Sequence, residues 1–372
     1  MTTDNALTIA GGHALPGGPA PRDETTVLSP EWLTAMLDRP GAVVTGTEVT
    51  QRLETVATKV RFRLHYADPQ PGVNAPTDLC AKGYFNPAMH GRSSSTEADF
   101  YRQLAPVLPV HTPPCLHAAV DSETGHALII MTDLVEAGAT FLDPTVDYSA
   151  DQAAATLDQL AALHAATWTA AGGGAGTDTA PGVDKAVAAT LFPPRLATLA
   201  GLMNADYLQG QLDDGRAPDV DDSTRRADRL IAAMHALARV GVDQPRCLVH
   251  GDLHTGNVYR LADGSPGLID WQVVQYGVWA LDVSYHLAAV LDPDERGRAE
   301  RGLLDHYLDR LATRGVTPPP RDDAWCAYRA HLPYGYYLWS ITRAVDRPII
   351  EHLTGRLSLA AAQHASLDLL GV

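Results

Sequence analysis

Apolar residues in the first third of the chain are spaced as in β-strands. Between residues 43 and 66, apolar and polar residues alternate, and this period of two predicts half-exposed antiparallel strands. Apolar runs at residues 78–84 and 127–131 predict two more strands. A helix is expected between these runs, from about residue 95 to residue 104. This part of the chain is therefore predicted to be mostly β.

The spacing changes after Leu134, where apolar residues recur every three to four positions. This period is typical of helices that bury one face. The segment at residues 172–182 is rich in glycine and predicts a loop. Helices are predicted over residues 151–168, 222–240, 281–291, 294–314, 321–343 and 355–369.

Strands followed by helices indicate an α+β fold with two domains. Residues 1–24 are rich in Gly, Pro, Ala and Thr without an apolar period, so we expect a mobile N-terminal arm. A β-rich N-terminal domain is predicted over residues 25–133, and a helical C-terminal domain over residues 134–372. The length of 372 residues is sufficient for a hydrophobic core in each domain.

Three polar residues after position 250 have a spacing that suits phosphoryl transfer. Asp252 lies in the segment His-Gly-Asp-Leu-His-Thr-Gly-Asn, which ends at Asn257, and Asp270 follows in Leu-Ile-Asp-Trp-Gln. Between Asn257 and Asp270 the pattern predicts two short strands joined by a Gly/Pro turn, which would bring those two residues together. The reaction needs a carboxylate that orients a hydroxyl, and an amide and a second carboxylate that hold Mg²⁺.

This segment resembles the catalytic and metal-binding loops of the aminoglycoside phosphotransferase and choline kinase superfamily. The continuation, Gln-Tyr-Gly at 275–277 and Ala-Leu-Asp-Val-Ser-Tyr at 280–285, most resembles its ecdysteroid-kinase-like branch. The resemblance implies a protein-kinase-like two-lobed fold, with a small, mostly antiparallel β N-lobe and a larger, mostly helical C-lobe.

The resemblance also implies a role for each residue of the segment. Asp252 would be the catalytic base that orients the acceptor hydroxyl, and Asn257 and Asp270 would be the metal ligands. Asp282 would brace the catalytic loop, and His250 would be a structural anchor.

The nucleotide side of the site is expected in the β-rich domain. Phosphoryl transfer needs a cation that bridges two phosphates and is held by a carboxylate, and Lys82 stands in a predicted strand. Glu97, in a Glu-x-x-Phe-Tyr pattern that resembles the family's second helix, is the predicted partner, with Asp99 as its rival. The glycine-rich phosphate loop of protein kinases is missing from the sequence between the first two strands. Thr58 and Lys59 occupy its place, where they either contact phosphate or only shape the turn.

Residues 129–134 resemble the family's hinge, whose backbone forms hydrogen bonds with adenine. Met131 and Asp133 are therefore candidates for nucleotide contacts. Met131 would narrow the nucleotide pocket, although a side chain of this kind is more often part of the plain core.

The acceptor site is expected among the C-terminal helices, where one stretch is unusually aromatic. Stacking on these rings would suit a ring-bearing acceptor, whereas packing in the core is the alternative explanation for the same residues. The stretch contains Asp322, Asp323, Trp325, Tyr328, Tyr334, Tyr336, Tyr337 and Trp339.

Composition excludes several classes of protein. Forty-four acidic and 28 basic residues give a net charge of −16, which argues against general affinity for nucleic acid or anionic membranes. The four cysteines form no Cys-x-x-Cys pair, and no apolar stretch approaches the about 18 residues of a membrane span, so a cytoplasmic protein is expected. The alternation of His250, Asp252 and His254 could ligate zinc, but the sequence supplies no further ligands at a recognisable spacing.

The sequence thus predicts a small-molecule kinase that uses Mg²⁺ and ATP, or GTP in its place. The predicted acceptor is a hydroxyl of a ring-containing metabolite or antibiotic, as in a resistance or natural-product-modifying phosphotransferase. The alternatives are a kinase of hydroxyacyl or choline-like alcohols and a non-catalytic nucleotide-binding pseudokinase. A protein acceptor is less expected, because no activation segment ending in Ala-Pro-Glu follows Asp270. The sequence predicts no particular oligomeric state.

Overall fold

The computed structural model describes residues 15–67, 75–170 and 183–372. The glycine-rich segment at residues 172–182 and residues 1–14 of the predicted mobile arm lie outside the described residues.

The chain divides into two compact units. The first consists of Met1–Gln103 and Pro113–Gly138, and the second of Leu104–Thr112 and Ala139–Val372. The sequence predicted a single boundary at residue 133, whereas the segment Leu104–Thr112 leaves the first unit and joins the second.

The first unit is built around a five-stranded antiparallel sheet. Its strands have the spatial order β1-β2-β3-β5-β4. Along β2, every second residue from Thr58 to Leu64 is buried and the residues between are more exposed, as the period of two predicts. The strands are β1 (Val44–Glu54), β2 (Thr58–Tyr66), β3 (Asp78–Gly83), β4 (Cys115–Val120) and β5 (Ala127–Thr132).

Three helices belong to the same unit. They are α1 (Glu24–Val27), α2 (Pro30–Leu37) and α3 (Thr96–Gln103). Ser29 caps α2, because its Oγ accepts a hydrogen bond from the backbone N of Trp32. Trp32 is fully buried and belongs to the same core cluster as Phe62 of β2.

Residues 15–24 are part of the predicted mobile arm but are bound to the first unit. The ring Nε1 of Trp32 donates a hydrogen bond of 3.1 Å to the carbonyl oxygen of Gly18. Ala20 is buried, and its carbonyl oxygen lies 3.0 Å from Nδ1 of the buried His126. Local composition does not reveal these buried partners, and the mobility of the arm stays a prediction.

The second unit is mostly helical, as predicted. Helix α9 is buried along its whole length, and α11 packs against it and against α8 and α12. The helices are α4 (Ala150–Thr167), α5 (Lys185–Leu191), α6 (Leu196–Ala200), α7 (Ala205–Gln211), α8 (Ala227–Val240), α9 (Ala280–Val290), α10 (Pro293–Thr313), α11 (Arg321–Ile341), α12 (Arg347–Gln363) and α13 (Ser366–Leu369).

The last predicted helix, over residues 355–369, differs most from the structure. It begins earlier, at Arg347, because Pro348 lies in the first turn, where the missing N–H of proline is tolerated. It also breaks into α12 and α13 at Ala365, whose φ of 47° is incompatible with a continuous helix.

Five short strands accompany the helices. β8 and β9 form the predicted hairpin, with Val258 opposite Leu268, and β6 pairs with the other edge of β8. β7 pairs with β10 in an antiparallel direction. The strands are β6 (Thr140–Phe141), β7 (Cys247–Val249), β8 (Val258–Arg260), β9 (Pro266–Leu268) and β10 (Gln275–Gly277). They fix the backbone on both sides of the segment that contains the three predicted catalytic residues.

Across the described ranges, no helix is by itself both long enough and apolar enough to cross a membrane. The stretches Lys185–Ala200 and Ala205–Arg216 meet that test of length and composition only as a pair, which is bent by 80°.

Candidate active site

Lys82 and Glu97 form a buried ion pair in the first unit. Nζ of Lys82 in β3 lies 2.6 Å from Oε2 of Glu97 in the first turn of α3, and both side chains are 7% exposed. Each charge offsets the cost of burying the other, so the pair holds both side chains in fixed positions. Asp99, the rival partner, instead pairs with Arg102.

Thr58 and Lys59 begin β2, directly after the turn that follows β1. In the register of β2 and β3, Thr58 stands opposite Gly83 and Lys59 opposite Lys82. The structure therefore brings the turn between β1 and β2 next to the part of β3 that carries Lys82. Thr58 is buried, which suits a residue that shapes the turn.

Met131 and Asp133 lie at the end of β5 and directly after it. Met131 is half-buried and pairs with Cys80 of β3. The carboxylate of Asp133 accepts hydrogen bonds from Nε of Arg61 at 2.8 Å and from the backbone N of Val135 at 3.0 Å. These bonds engage the Asp133 side chain within the unit, and its backbone N donates a hydrogen bond of 3.0 Å to the carbonyl oxygen of Asp78.

The hairpin of β8 and β9 brings Asn257 and Asp270 together in the second unit. Ile269, next to Asp270, donates a backbone hydrogen bond of 3.0 Å to the carbonyl oxygen of Asn257. Nδ2 of Asn257 donates a bond of 2.7 Å to the backbone oxygen of Asp252. Because a carbonyl oxygen only accepts, the amide nitrogen must be the atom turned toward Asp252, and Oδ1 lies on the other side of the amide group.

Asp270 has a left-handed backbone conformation, with φ 67° and ψ 66°. Among the described residues other than glycine, it shares a positive φ with Asp38 and Ala365. This conformation costs about 1–2 kcal/mol, and such strain is concentrated at functional sites. The turn from β9 into the following residues therefore places the Asp270 carboxylate at an energetic cost to the fold.

Asp282 holds the backbone at the start of the catalytic loop. It is fully buried in the first turn of α9 and accepts hydrogen bonds of 2.7 Å from the backbone N of both His250 and Gly251. Nε2 of His164 donates a third bond at 3.0 Å. Burial raises the pKa of Asp282, but the hydrogen bonds from His164 and the backbone outweigh this effect and bring the pKa below its usual value.

The His250 ring forms two hydrogen bonds to the backbone, one within the catalytic loop and one at Ile269. Its Nδ1 accepts a hydrogen bond from the backbone N of Asp252 at 3.2 Å, so Nε2 carries the proton and donates to the carbonyl oxygen of Ile269 at 2.9 Å. Both ring nitrogens are therefore occupied. Within the residues that the structure describes, no group of three or more His, Cys, Asp or Glu is arranged to hold a metal ion.

One face of α9 contacts the catalytic loop at successive residues. Tyr285 and His286 follow Asp282 by three and four positions, so the three side chains share a face of the helix. The hydroxyl of Tyr285 donates a bond of 2.7 Å to Oδ1 of Asp252. Nδ1 of His286 donates a bond of 3.0 Å to the carbonyl oxygen of Leu253. This helix therefore binds every residue of the loop from 250 to 253.

The electrostatics of the loop favour a base at position 252. Burial raises the pKa of the Asp252 carboxyl to about 6; the hydrogen bond from Tyr285 opposes this rise and the charge of Asp270 adds to it. Burial lowers the pKa of His254 to about 4, so this imidazole is neutral at pH 7. General bases are most effective when their pKa lies near the working pH. Asp252 meets this condition.

The aromatic stretch of α11 is mostly core. Its four tyrosines are fully buried, and their hydroxyls donate to Glu300 (Tyr328), Gly251 (Tyr334), Thr224 (Tyr336) and Leu199 (Tyr337). The core alternative is confirmed for these residues, because α11 lies among other helices. Asp322 and Asp323 are exposed, and Trp325 stacks on Tyr328. Trp339 differs from the others, since its ring meets that of His254 edge-on at 5.2 Å between centroids.

Residues 90–319 match the family model of the APH phosphotransferase enzyme family. The matched range exceeds half of the chain and includes Glu97, the catalytic loop and the hairpin. The chain belongs to this phosphotransferase family.

Individual relatives match the chain either over a short segment or at low sequence identity. Over 106 residues, 28% of this chain, the sequence is 32% identical to the methylthioribose kinase of Geobacillus kaustophilus. That match spans only 26% of the length of that enzyme. The ethanolamine kinase of Plasmodium vivax has a TM-score of 0.52 at 12% identity, over 86% of this chain and 83% of that one. The macrolide 2'-phosphotransferase of Brachybacterium faecium has a TM-score of 0.47 at 18% identity, over 87% and 98%.

The comparison with the ethanolamine kinase establishes the fold alone. It confirms the predicted kinase-like α+β fold, with a small antiparallel sheet in one unit and helices in the other. The ecdysteroid-kinase-like branch stays a prediction.

Sequence reasoning missed two residues of this phosphotransferase that contact the catalytic loop. Tyr285 and His286 follow Asp282 at helical spacing, and this spacing alone predicts that they lie on the same face as the brace. The spacing does not reveal which loop atoms they meet, because that depends on how α9 packs against the loop.

Proposed function

We propose that this phosphotransferase moves the γ-phosphate of ATP, or of GTP, to a hydroxyl group of a small molecule. The observation that carries the proposal is the grouping of Asp252, Asn257 and Asp270 around one hairpin, with the loop backbone bound to α9. Phosphoryl transfer depends on positioning and charge neutralisation, and these residues supply both. The buried pair of Lys82 and Glu97 supports a nucleotide donor.

Lys82 is assigned to the α- and β-phosphates of the nucleotide. Glu97 keeps the ammonium group in place, so the lysine does not lose conformational entropy again when the nucleotide binds. The turn that precedes Thr58 and Lys59 is assigned to further phosphate contacts, and the backbone around Met131 and Asp133 to the base.

Asn257 and Asp270 are assigned to Mg²⁺. A carboxylate and an amide oxygen are the hard donors that this cation prefers, and the bond from Nδ2 to the Asp252 backbone turns the amide oxygen of Asn257 away from that backbone oxygen. When bound, Mg²⁺ neutralises charge on the transferred phosphoryl group. Asp270 contributes the negative charge of this pair, and Asn257 contributes a neutral ligand.

Asp252 is assigned to the acceptor. Its half-buried carboxylate orients the acceptor hydroxyl for in-line attack on the γ-phosphorus. As the new O–P bond forms and the bond to the β–γ bridging oxygen breaks, the carboxylate takes the hydroxyl proton and the nucleoside diphosphate leaves.

The acceptor is proposed to be a small hydroxylated molecule. A ring-containing acceptor stays a prediction that the aromatic stretch of α11 no longer supports, because its tyrosines are core and Trp339 is itself buried, with its ring against that of His254. ADP release should be screened with macrolides, aminoglycosides, methylthioribose, choline and ethanolamine. Efficient use of choline or ethanolamine, with every ring-containing compound inert, would show that the ring prediction is wrong.

Replacing Asp252 by asparagine tests the proposed chemistry. The amide cannot accept the proton, so turnover should fall by about two to four orders of magnitude while calorimetry shows that ATP still binds. Asp228→Asn is a matched control, because Asp228 is an exposed carboxylate paired with Arg226 at the start of α8. Near-normal turnover of Asp252→Asn, or AMP as the product of the native enzyme, would contradict the proposal.

A further inference from the structure

Tyr285 contacts the proposed base from inside the second unit. Its hydroxyl lies 2.7 Å from Oδ1 of Asp252, and its side chain is fully buried. Because an ionised carboxylate only accepts hydrogen bonds, the phenol is the donor. Burial raises the pKa of Tyr285 well above its usual value, so the phenol keeps its proton.

A second hydrogen bond sets the direction of this phenol. Nε1 of Trp339 in α11 donates a bond of 2.5 Å to the hydroxyl of Tyr285. The hydroxyl thus accepts from α11 and donates to the catalytic loop, and Trp339 is itself buried. Two helices therefore determine where the phenolic proton points.

The carboxylate of an aspartate has no strong rotational preference of its own. Its terminal torsion is broad and roughly two-fold, so its plane is set by the groups around it. The hydroxyls of Tyr334, Tyr336 and Tyr337 all donate to backbone oxygens, whereas that of Tyr285 donates to the side chain of the base.

We propose that Tyr285, oriented by Trp339, is a positioning residue that fixes the rotation of the Asp252 carboxylate for phosphoryl transfer. With Oδ1 held by the phenol, Oδ2 is the oxygen that meets the acceptor hydroxyl. A carboxylate held in the productive orientation does not have to be ordered again in each turnover. The kinetic part of this inference rests on the proposed function.

Tyr285→Phe tests the role because it removes the hydroxyl and keeps the ring. A hydrogen bond to a charged group corresponds to about a ten- to hundred-fold effect, so kcat should fall by that factor while KM for the nucleotide is unchanged. Trp339→Phe should lower kcat in the same direction but less. Tyr337→Phe is the matched control, since it removes an equally buried hydroxyl, bound to Leu199 at 2.6 Å, and should leave kcat unchanged.

A double-mutant cycle separates positioning from simple structural support. In an Asp252→Asn background, Tyr285→Phe should have no further effect on the residual turnover, because the carboxylate that it positions is gone. A structural role would give the same fold loss in both backgrounds. Additive effects, an equal loss in Tyr337→Phe, or normal kcat in Tyr285→Phe would overturn the proposal.

An NMR measurement tests the contact without any substrate. The indole N–H resonance of Trp339, assigned by its disappearance in Trp339→Phe, should shift in Tyr285→Phe and stay in place in Tyr337→Phe. An unmoved resonance in Tyr285→Phe would overturn the contact, whatever the enzyme phosphorylates. If the native enzyme releases no ADP with any acceptor, the proposed function fails, and the kinetic role of Tyr285 fails with it even when the resonance shifts.

Discussion

Asn257 and Asp270, which the hairpin brings together, are both proposed to bind Mg²⁺ through oxygen atoms but contribute differently to its binding. Asp270 offers a full negative charge to a divalent cation, whereas Asn257 offers only the dipole of an amide oxygen. Asp270→Ala should therefore abolish the strengthening of ATP binding by Mg²⁺, and Asn257→Ala should weaken it less. Calorimetry of ATP binding with and without Mg²⁺ measures both effects.

The matched control for this pair is Asp263→Ala. Asp263 is an exposed carboxylate in the turn of the same hairpin, where it accepts hydrogen bonds from Ser265. Its removal changes the net charge as Asp270→Ala does and should leave the Mg²⁺ dependence intact. An Asp270→Ala variant that responds to Mg²⁺ like the native protein would refute the assignment.

The pKa of Asp252 predicts how activity depends on pH. Burial raises this pKa to about 6, so the carboxylate takes up a proton as the pH falls through about 6, and the protonated form cannot act as a base. In the free enzyme, kcat/KM should therefore be level above that pH and fall about ten-fold for each pH unit below it. Steady-state kinetics between about pH 5 and pH 8 measures the profile, and a flat profile would be inconsistent with Asp252 as the base.

Some contacts of single residues follow from sequence and others do not. The partners Lys82 and Glu97 were predictable, because the chemistry specifies a cation and a carboxylate and the resemblance of the Glu-x-x-Phe-Tyr pattern to the family's second helix pointed to Glu97. The hydrogen bond between Asp133 and Arg61 was not predictable, since the two residues are 72 positions apart in sequence. Such a pair depends on how strands are ordered in the sheet.

Among the secondary-structure elements, α9 holds the catalytic loop through hydrogen bonds to residues 250–253. Asp282→Ala would leave the backbone N–H groups of His250 and Gly251 buried without an acceptor. We expect the free energy of unfolding to fall by about 3–5 kcal/mol, as measured by chemical denaturation. Asp228→Ala removes an exposed, paired carboxylate from another helix of the same unit and should change stability little. An equal loss in the two variants would contradict the bracing role of Asp282.

The hairpin of β8 and β9 was predictable at this scale, because a Gly/Pro turn between two short apolar runs fixes its register. The aromatic stretch of α11 left two explanations open, and the structure places its tyrosines in the core. A dense run of tyrosines looks the same in sequence whether it lines a pocket or fills a core. The outcome depends on the helices packed against α11, which lie more than 30 residues away in sequence in the case of α9.

For the whole molecule, the order of strands and helices was sufficient to predict an α+β fold, but the division into units was harder. Leu104–Thr112 lies between α3 and β4 of the first unit and still belongs to the second. His111 makes the connection, since its backbone N donates to Gln159 of α4 and its carbonyl oxygen accepts from Leu268 of β9. Bonds over such distances leave no trace in local composition.

The left-handed backbone at Asp270 makes the stability of the fold and the proposed activity impose opposite requirements on this position. At φ 67° a glycine would relieve the strain, because it has no Cβ. A search for more thermostable variants should therefore favour glycine at position 270, and this replacement removes the carboxylate proposed to hold the metal. Selection for stability alone would thus lead this chain away from catalysis, toward a stable protein that can no longer transfer phosphate.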